Sequence, residues 1–345
     1  MKPLTVAVIG CGRIGSLLEE DPLRGKPCTH AGAFDALAQT KIVSGCDINL
    51  DRLKRFGKRW KVDNLFSDYK EMIRKVKPDI VSIATWTHLH SEMVKTSARL
   101  GVKGIFCEKP IAINTSQGKA MVRTCESKNV PLVINHERRW DPYYRKAKKL
   151  IERGKIGELR TIIGNALSWI PPKLLASEHG GGPLFHDGTH LTDLMLYFAG
   201  PPDWVSGFEL RSNGIKYIEE TAAATIRFKN GTIGFIEGGG ARKYFNFELD
   251  IQGSEGRILI GNSNRQLYIT KKSGKFTGFQ ELEKVSFPEI KNYESPFIGG
   301  ARDLVRRIKK QTPSASSGMD GLRALQIITS IYRSAQNDGK RIKIR

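Results

Sequence analysis

Leu4-Thr5-Val6-Ala7-Val8-Ile9-Gly10-Cys11-Gly12-Arg13-Ile14-Gly15 is an apolar, β-rich run that closes in a glycine cluster of the form G-x-G-x-x-G. Glycine clusters alone mark many ordinary turns. Behind a strand and ahead of a helix, the glycines instead permit a tight turn, close approach of backbone to a pyrophosphate, and tight helix packing. The helix start expected after them offers N–H groups and a positive dipole end to phosphates. Gly10, Gly12, Arg13, Ile14 and Gly15 are therefore candidate dinucleotide contacts.

Working outward, residues 41–47, 79–84, 102–107 and 131–134 are further short β-rich runs, and 50–60, 69–76, 89–100 and 115–127 have helical patterning. That alternation predicts an α/β fold whose first domain, residues 1–130, is a doubly wound parallel sheet with helices on both faces. Beyond Arg139 one helix is expected at 143–153, then mostly strands at 160–169, 204–211, 222–228, 233–237, 245–252 and 257–260. Turn signals such as Asn230-Gly231 separate them. A second, antiparallel-rich domain over 131–345 follows, closed by helices at 296–310 and 318–337.

Composition bounds the function. The chain has 345 residues, 39% hydrophobic, enough for buried cores. No window approaches the ~20 apolar residues of a membrane span, and Met1-Lys2-Pro3-Leu4 shows no signal-peptide pattern, so a cytoplasmic location without a membrane partner is expected. Five cysteines, none in a C-x-x-C pair, fit reduced thiols. The net charge of +21 is spread along the chain rather than gathered into one stripe, so solvated helix faces are expected and no nucleic-acid partner.

The second strand ends in Asp47, where the ribose hydroxyls of a dinucleotide lie. A carboxylate there accepts from a 2′-OH and repels a 2′-phosphate, favouring NAD; Arg52 nearby keeps NADP possible. Capping the next helix is the structural alternative for Asp47. Residues 21–29, with their prolines, read as an extra loop that lengthens the spacing. Thr85, Trp86 and His88 follow the fourth strand at the carboxyl end of the sheet, where ligands of open α/β sheets bind, and are candidate cofactor contacts.

Glu108-Lys109-Pro110 leaves the next strand end into the same crevice. A partly desolvated lysine beside a cationic nicotinamide can take a hydroxyl proton near neutral pH, so Lys109 is a catalytic candidate and Glu108 and Lys109 candidate cofactor contacts. Gly180-Gly181-Gly182-Pro183 leads into an expected helix at 186–198, on which Asp187 and His190 share a face. A carboxylate that binds sugar hydroxyls and an imidazole that relays a proton suit alcohol-to-ketone chemistry. His186 with His190 has metal-like spacing, but a zinc site needs a third ligand, and no metal is expected. Arg138, Arg139 and Trp169, with Asp187 and His190, are candidate substrate contacts. Paired guanidinium donors among them, with Lys173, Arg242 and Lys243, would suit an anionic sugar.

Taken together, Gly10 to Gly15, Glu108-Lys109-Pro110 and Asp187-Gly188-Thr189-His190 make the chain resemble the Gfo/Idh/MocA family over essentially its whole length. The resemblance implies an N-terminal Rossmann domain and a C-terminal α/β domain with an open, largely antiparallel sheet through which dimers or tetramers form. It further implies a cis peptide before Pro110, and Asp187 and His190 acting with Lys109. The activity implied is hydride transfer between NAD and a sugar or polyol carbinol carbon. An NAD-dependent glycosidase and a dinucleotide-binding regulator are the alternatives. The resemblance also places residues 135–142, with His136, Arg138 and Arg139, against cofactor and substrate, and Glu137 stands where an aromatic residue is frequent in the family.

Overall fold

The computed structural model describes residues 2–169, 181–211, 219–310 and 312–344. The chain forms two compact units: Met1–Asp141 with Glu294–Leu322, and Pro142–Tyr293 with Arg323–Arg345.

In the first unit β1 (Leu4–Ile9), β2 (Thr40–Cys46), β3 (Leu65–Phe66), β4 (Ile80–Ile83), β5 (Gly104–Cys107) and β6 (Leu132–Ile134) form one sheet in the order β3-β2-β1-β4-β5-β6. Every pair in it is parallel. The strands are nearly continuous apolar runs because helices cover both faces of a parallel sheet. Those helices are α1 (His30–Asp35), α2 (Leu50–Trp60), α3 (Tyr69–Val76), α4 (Thr87–Arg99) and α5 (Thr115–Ser127). Asn49, Asp68 and Asn114 cap α2, α3 and α5, each side chain accepting the N–H three residues on. The order of strands reverses between β1 and β4, and the carboxyl ends of these two strands define the switch point where such sheets bind ligands.

The helix expected straight after the glycine cluster is not there. The cluster opens into a turn and a four-residue 3-10 helix, Leu17–Glu20, and α1 begins only after the 21–29 loop. That loop is tied to its base: the Lys26 ammonium donates to the carbonyls of Leu18 and Asp21, and Glu19 accepts from the Cys28 N–H and the Thr29 hydroxyl.

The second unit contains α6 (Pro142–Glu152), α7 (Pro183–His186), α8 (Gly188–Ala199) and a nine-stranded sheet. Its strands are β7 (Leu159–Trp169), β8 (Pro202–Leu210), β9 (Thr221–Phe228), β10 (Ile233–Gly239), β11 (Ala241–Gly253), β12 (Gly256–Gly261), β13 (Arg265–Lys272), β14 (Gln280–Val285) and β15 (Ile342–Lys343). The order is β14-β13-β12-β11-β7-β10-β9-β8-β15, antiparallel except for β7 with β10. β13 and β14 carry charges on both faces and give no clean alternation, and β15 is only two residues long, which is why the sequence does not announce them. Gly164 and Gly234 let α8 lie close to the sheet: a Cβ at Gly164 would meet Met195 Cε at 3.0 Å, and one at Gly234 would meet Met195 Sδ at 3.3 Å.

Two further helices follow, α9 (Pro296–Lys310) and α10 (Gly318–Ala335). The sequence suggested that both close the second domain. Instead α9 belongs to the first unit, where Ala301, Leu304 and Val305 join the buried cluster of Val6, Phe34, Phe106 and Trp140. The close fit is visible at Gly300, where a Cβ would sit 3.0 Å from Trp140 and 3.1 Å from Phe106. Buried Asp303 fastens the turn after α9, accepting from Trp140 Nε1, Ser314 Oγ and the Ala315 N–H. The first unit thus runs past residue 130 to Asp141 and takes a late piece of chain, unlike the contiguous 1–130 expected.

Candidate active site

The three motif glycines do different things. Gly10 has φ +90°, and a Cβ there would lie 2.6 Å from the Ala84 carbonyl oxygen at the end of β4. At Gly15 a Cβ would lie 1.9 Å from the Gly10 carbonyl oxygen. Both are demanded by the protein's own packing. Gly12 is different: its Cβ would meet only Arg52 Nη1, at 3.6 Å, so the missing side chain leaves an open cradle over the turn. The loop is pinned from below, with the N–H groups of His30 and Ala31 donating to the carbonyls of Ile14 and Gly15.

Asp47, at the end of β2, is buried and accepts from the Cys11 N–H through Oδ2 and from the Asn49 N–H through Oδ1, both at 2.8 Å. It is not the cap of α2, which is Asn49. The carboxylate therefore stands against the glycine turn with lone pairs remaining on each oxygen.

After β4, Trp86 and His88 are exposed and Thr85 is half-buried, an open turn at the switch point. Buried beneath it, His90 has Nε2 3.1 Å from the Thr85 carbonyl oxygen and Nδ1 3.0 Å from that of Pro110. One imidazole so connects the turn after β4 to the turn after β5. Burial pushes its pKa down, against the pull of the two carbonyls and Glu108. The sequence offers His88 and His90 together for this turn, with His88 as the favoured cofactor contact; the signal for His90 is its i, i+3 offset from Thr87 on the buried face of α4.

The Lys109-Pro110 peptide is cis, and Lys109 is half-buried at the carboxyl end of β5. Glu108 turns inward. Its Oε1 lies 2.9 Å from His30 Nε2 and accepts from Asn135 Nδ2 at 2.5 Å, while Oε2 accepts from the Lys109 N–H at 3.1 Å. The other His30 nitrogen lies 2.8 Å from Ser82 Oγ. Burial alone would raise the Glu108 carboxyl, but His30, Lys109 and Asn135 outweigh it and hold the pKa at about 2. Both carboxylate oxygens thus serve the protein itself, and Glu108 anchors the turn that presents Lys109. His30 was not foreseen, since only the fold brings it to Glu108 and Ser82.

A 3-10 turn, Glu137–Arg139, follows β6. His136 at its start is buried. Arg138 Nη1 pairs with Glu137 Oε1 at 2.6 Å. Arg139 is buried and inward, donating to the Ala315 carbonyl at 2.7 Å and lying 3.3 Å from Asp320 Oδ1. It fastens the turn to Ala315 before α10 and to the first turn of α10 itself, which argues against the substrate contact expected of it.

In the second unit the helix expected from 186 is broken at Asp187, which ends α7 and precedes α8. Asp187 is half-buried at this joint, with Ser168 Oγ of β7 3.5 Å from its Oδ2. His190 is buried in the first turn of α8, its ring edge-on to Phe247 at 6.4 Å. Trp169, at the end of β7, is 63% exposed. Arg242 pairs with Glu237 at 2.8 Å and Lys243 is exposed; Lys173 and Gly180 lie outside the described residues. Among the described residues no three His, Cys, Asp or Glu side chains gather as a metal site would require.

Residues 4–136 match the family model for the Gfo/Idh/MocA oxidoreductases with an NAD-binding Rossmann fold, and residues 144–259 match the C-terminal domain of the same family. Myo-inositol 2-dehydrogenase of Thermotoga maritima is 25% identical over 332 residues, covering 93% of each chain. The structure of levoglucosan dehydrogenase in complex with NADH and L-sorbose has a TM-score of 0.84 at 22% identity, covering 100% of both chains. The WlbA dehydrogenase of Bordetella pertussis in complex with NADH and UDP-GlcNAcA gives 0.79 at 23% identity, covering 100% of this chain and 99% of that one.

Proposed function

The chain belongs to the Gfo/Idh/MocA oxidoreductase family, and from that membership we propose that it moves a hydride between NAD and a carbinol carbon of a sugar or cyclic polyol. The observation that carries this is the placement of Lys109: next to the switch point of the parallel sheet, on a turn anchored by Glu108, His30 and Asn135. The named activities of the relatives, on inositol among them, fit a hydroxyl-rich ring.

The first unit holds the cofactor. The turn over Gly12 to Gly15 takes the pyrophosphate, with Gly12 leaving the space and the early N–H groups of the turn donating. Asp47 accepts from the ribose hydroxyls, which selects against a 2′-phosphate. Thr85, Trp86 and His88 line the way to the nicotinamide, which when bound supplies the hydride acceptor. Lys109 takes the hydroxyl proton as the carbinol C–H bond breaks. Asp187 holds ring hydroxyls and His190 relays the proton, the roles that the family resemblance implies for them, with His136, Arg138 and Trp169 as further substrate contacts.

A cytoplasmic homo-oligomer is the form we assign. All five cysteines are buried thiols, in keeping with a reducing compartment. Ile163 and Phe235 are cross-strand neighbours on the sheet face opposite α8, 37% and 43% exposed, and a second copy would cover such a face.

The test is NADH formation from inositols and sugars by the wild type and by Lys109→Ala. Turnover should fall roughly 10²–10⁴-fold, the usual contribution of a positioned acid–base group, with NAD binding kept. Unchanged turnover in the variant would remove Lys109 from the mechanism.

A further inference from the structure

The 3-10 turn after β6 carries a charge arrangement that bears on which substrate enters. Glu137 and Arg138 form their ion pair with side chains only 20% and 17% exposed. Burial pushes the Glu137 carboxyl upward, opposed by the positive charges of Arg138 and Lys109 and reinforced by Glu108. Lys109 and Glu108 are thus its electrostatic neighbours from the end of β5. The next guanidinium, Arg139, is directed to the Ala315 carbonyl and the Asp320 carboxylate. Arg138 is thus paired with Glu137 and Arg139 with Asp320, and the negative charge of Glu108 lies beside Lys109.

We propose, on the hydride-transfer reading above, that Glu137 is a specificity-determining residue: by pairing with Arg138 it turns away carboxylate- or phosphate-bearing sugars and admits uncharged polyols. An anion seeking Arg138 must displace Glu137, leaving a partly buried carboxylate without its partner, or lie beside it with like charge. An uncharged hydroxyl avoids both penalties, since it donates to a carboxylate and accepts from a guanidinium at once. The discrimination is built on a repulsive element rather than an added attraction.

The experiment compares binding of glucose, myo-inositol and glucuronate to NAD-saturated protein by calorimetry, in the wild type, Glu137→Gln and Glu137→Gln/Arg138→Gln, with NADH formation followed in parallel. The wild type should bind at least one neutral probe more tightly than glucuronate. Glu137→Gln should shift the glucuronate-to-neutral affinity ratio toward glucuronate by roughly ten- to a hundredfold, the scale of one like charge removed from a partly buried site. The double variant should return the ratio toward that of the wild type. Glu137→Met stands in should the Gln variant fail to fold. A wild type that prefers glucuronate, a ratio unmoved in a folded Glu137 variant, or no binding of any probe overturns the proposal. A ratio that moves as expected without NADH formation upholds the selectivity and overturns the hydride-transfer reading instead.

Discussion

Glu108 and His30 lie 78 positions apart in sequence, and their side chains meet at 2.9 Å between Oε1 and Nε2 with neither open to solvent. The contact joins the start of α1 to the end of β5, and with Asn135 and Ser82 it forms the buried polar centre of the first unit. Because the folded pKa of Glu108, about 2, lies below its ordinary value of 4.5, its contribution to stability is complete above pH 4.5. It is lost as pH falls from there through about 2. Urea unfolding of the wild type and Glu108→Gln across this range should show a gap of roughly 1–3 kcal/mol at neutral pH that narrows with acid. A gap independent of pH would show that the carboxylate charge is not what stabilises the centre.

Gly12→Ala and Gly15→Ala should separate two requirements. The first keeps the fold, with a stability change within about 1 kcal/mol, and weakens NAD binding by filling the cradle. The second forces a Cβ into the Gly10 carbonyl and costs several-fold more in stability. Thermal melts beside an NADH fluorescence titration distinguish them. Gly12→Ala with full NAD affinity would place the pyrophosphate elsewhere.

His90→Ala removes the link between the Thr85 and Pro110 carbonyls. Turnover should fall by about 10²-fold, as expected when a catalytic group is misplaced by about 1 Å, while NAD affinity changes far less. Steady-state kinetics with a direct NAD titration provides the comparison. Equal losses in both would mark His90 as supporting the unit in general.

Asp303→Ala strips Trp140, Ser314 and Ala315 of a common buried acceptor. Unfolding free energy should drop by roughly 3–5 kcal/mol, the range for breaking a buried charged network, and hydrogen exchange should rise first around α9. A loss under about 1 kcal/mol would mean that solvent replaces the carboxylate there.

Much of this fold is legible without coordinates. The helices at 50–60, 69–76 and 115–127 announce themselves by their patterning, and the structure finds Asn49, Asp68 and Asn114 capping them; the strands of a two-sided parallel sheet betray themselves as nearly continuous apolar runs. The placement of the glycine cluster, Asp47 and Lys109 at strand ends was legible for the same reason, each lying within a local pattern. What escaped was non-local. No pattern near His30 reveals Glu108, and the apolar stripe of α9 shows that it must be covered without saying by which sheet. The break at Asp187 had a local signal in the Asp187-Gly188 pair, overridden by the i, i+3 spacing of Asp187 and His190, which suits one helix face.

The late recruitment of α9 bears on how the protein is made. A ribosome releases residues 1–141 long before Glu294–Leu322, so the nascent dinucleotide-binding half emerges with Phe106 and Trp140 lacking the Ala301–Val305 surface that completes their cluster. Vectorial synthesis cannot finish this half first, although domains generally fold in order of emergence. The intervening unit must be synthesised while its predecessor waits, and a fragment ending near Asp141 should be chaperone-dependent rather than a ready-made cofactor module.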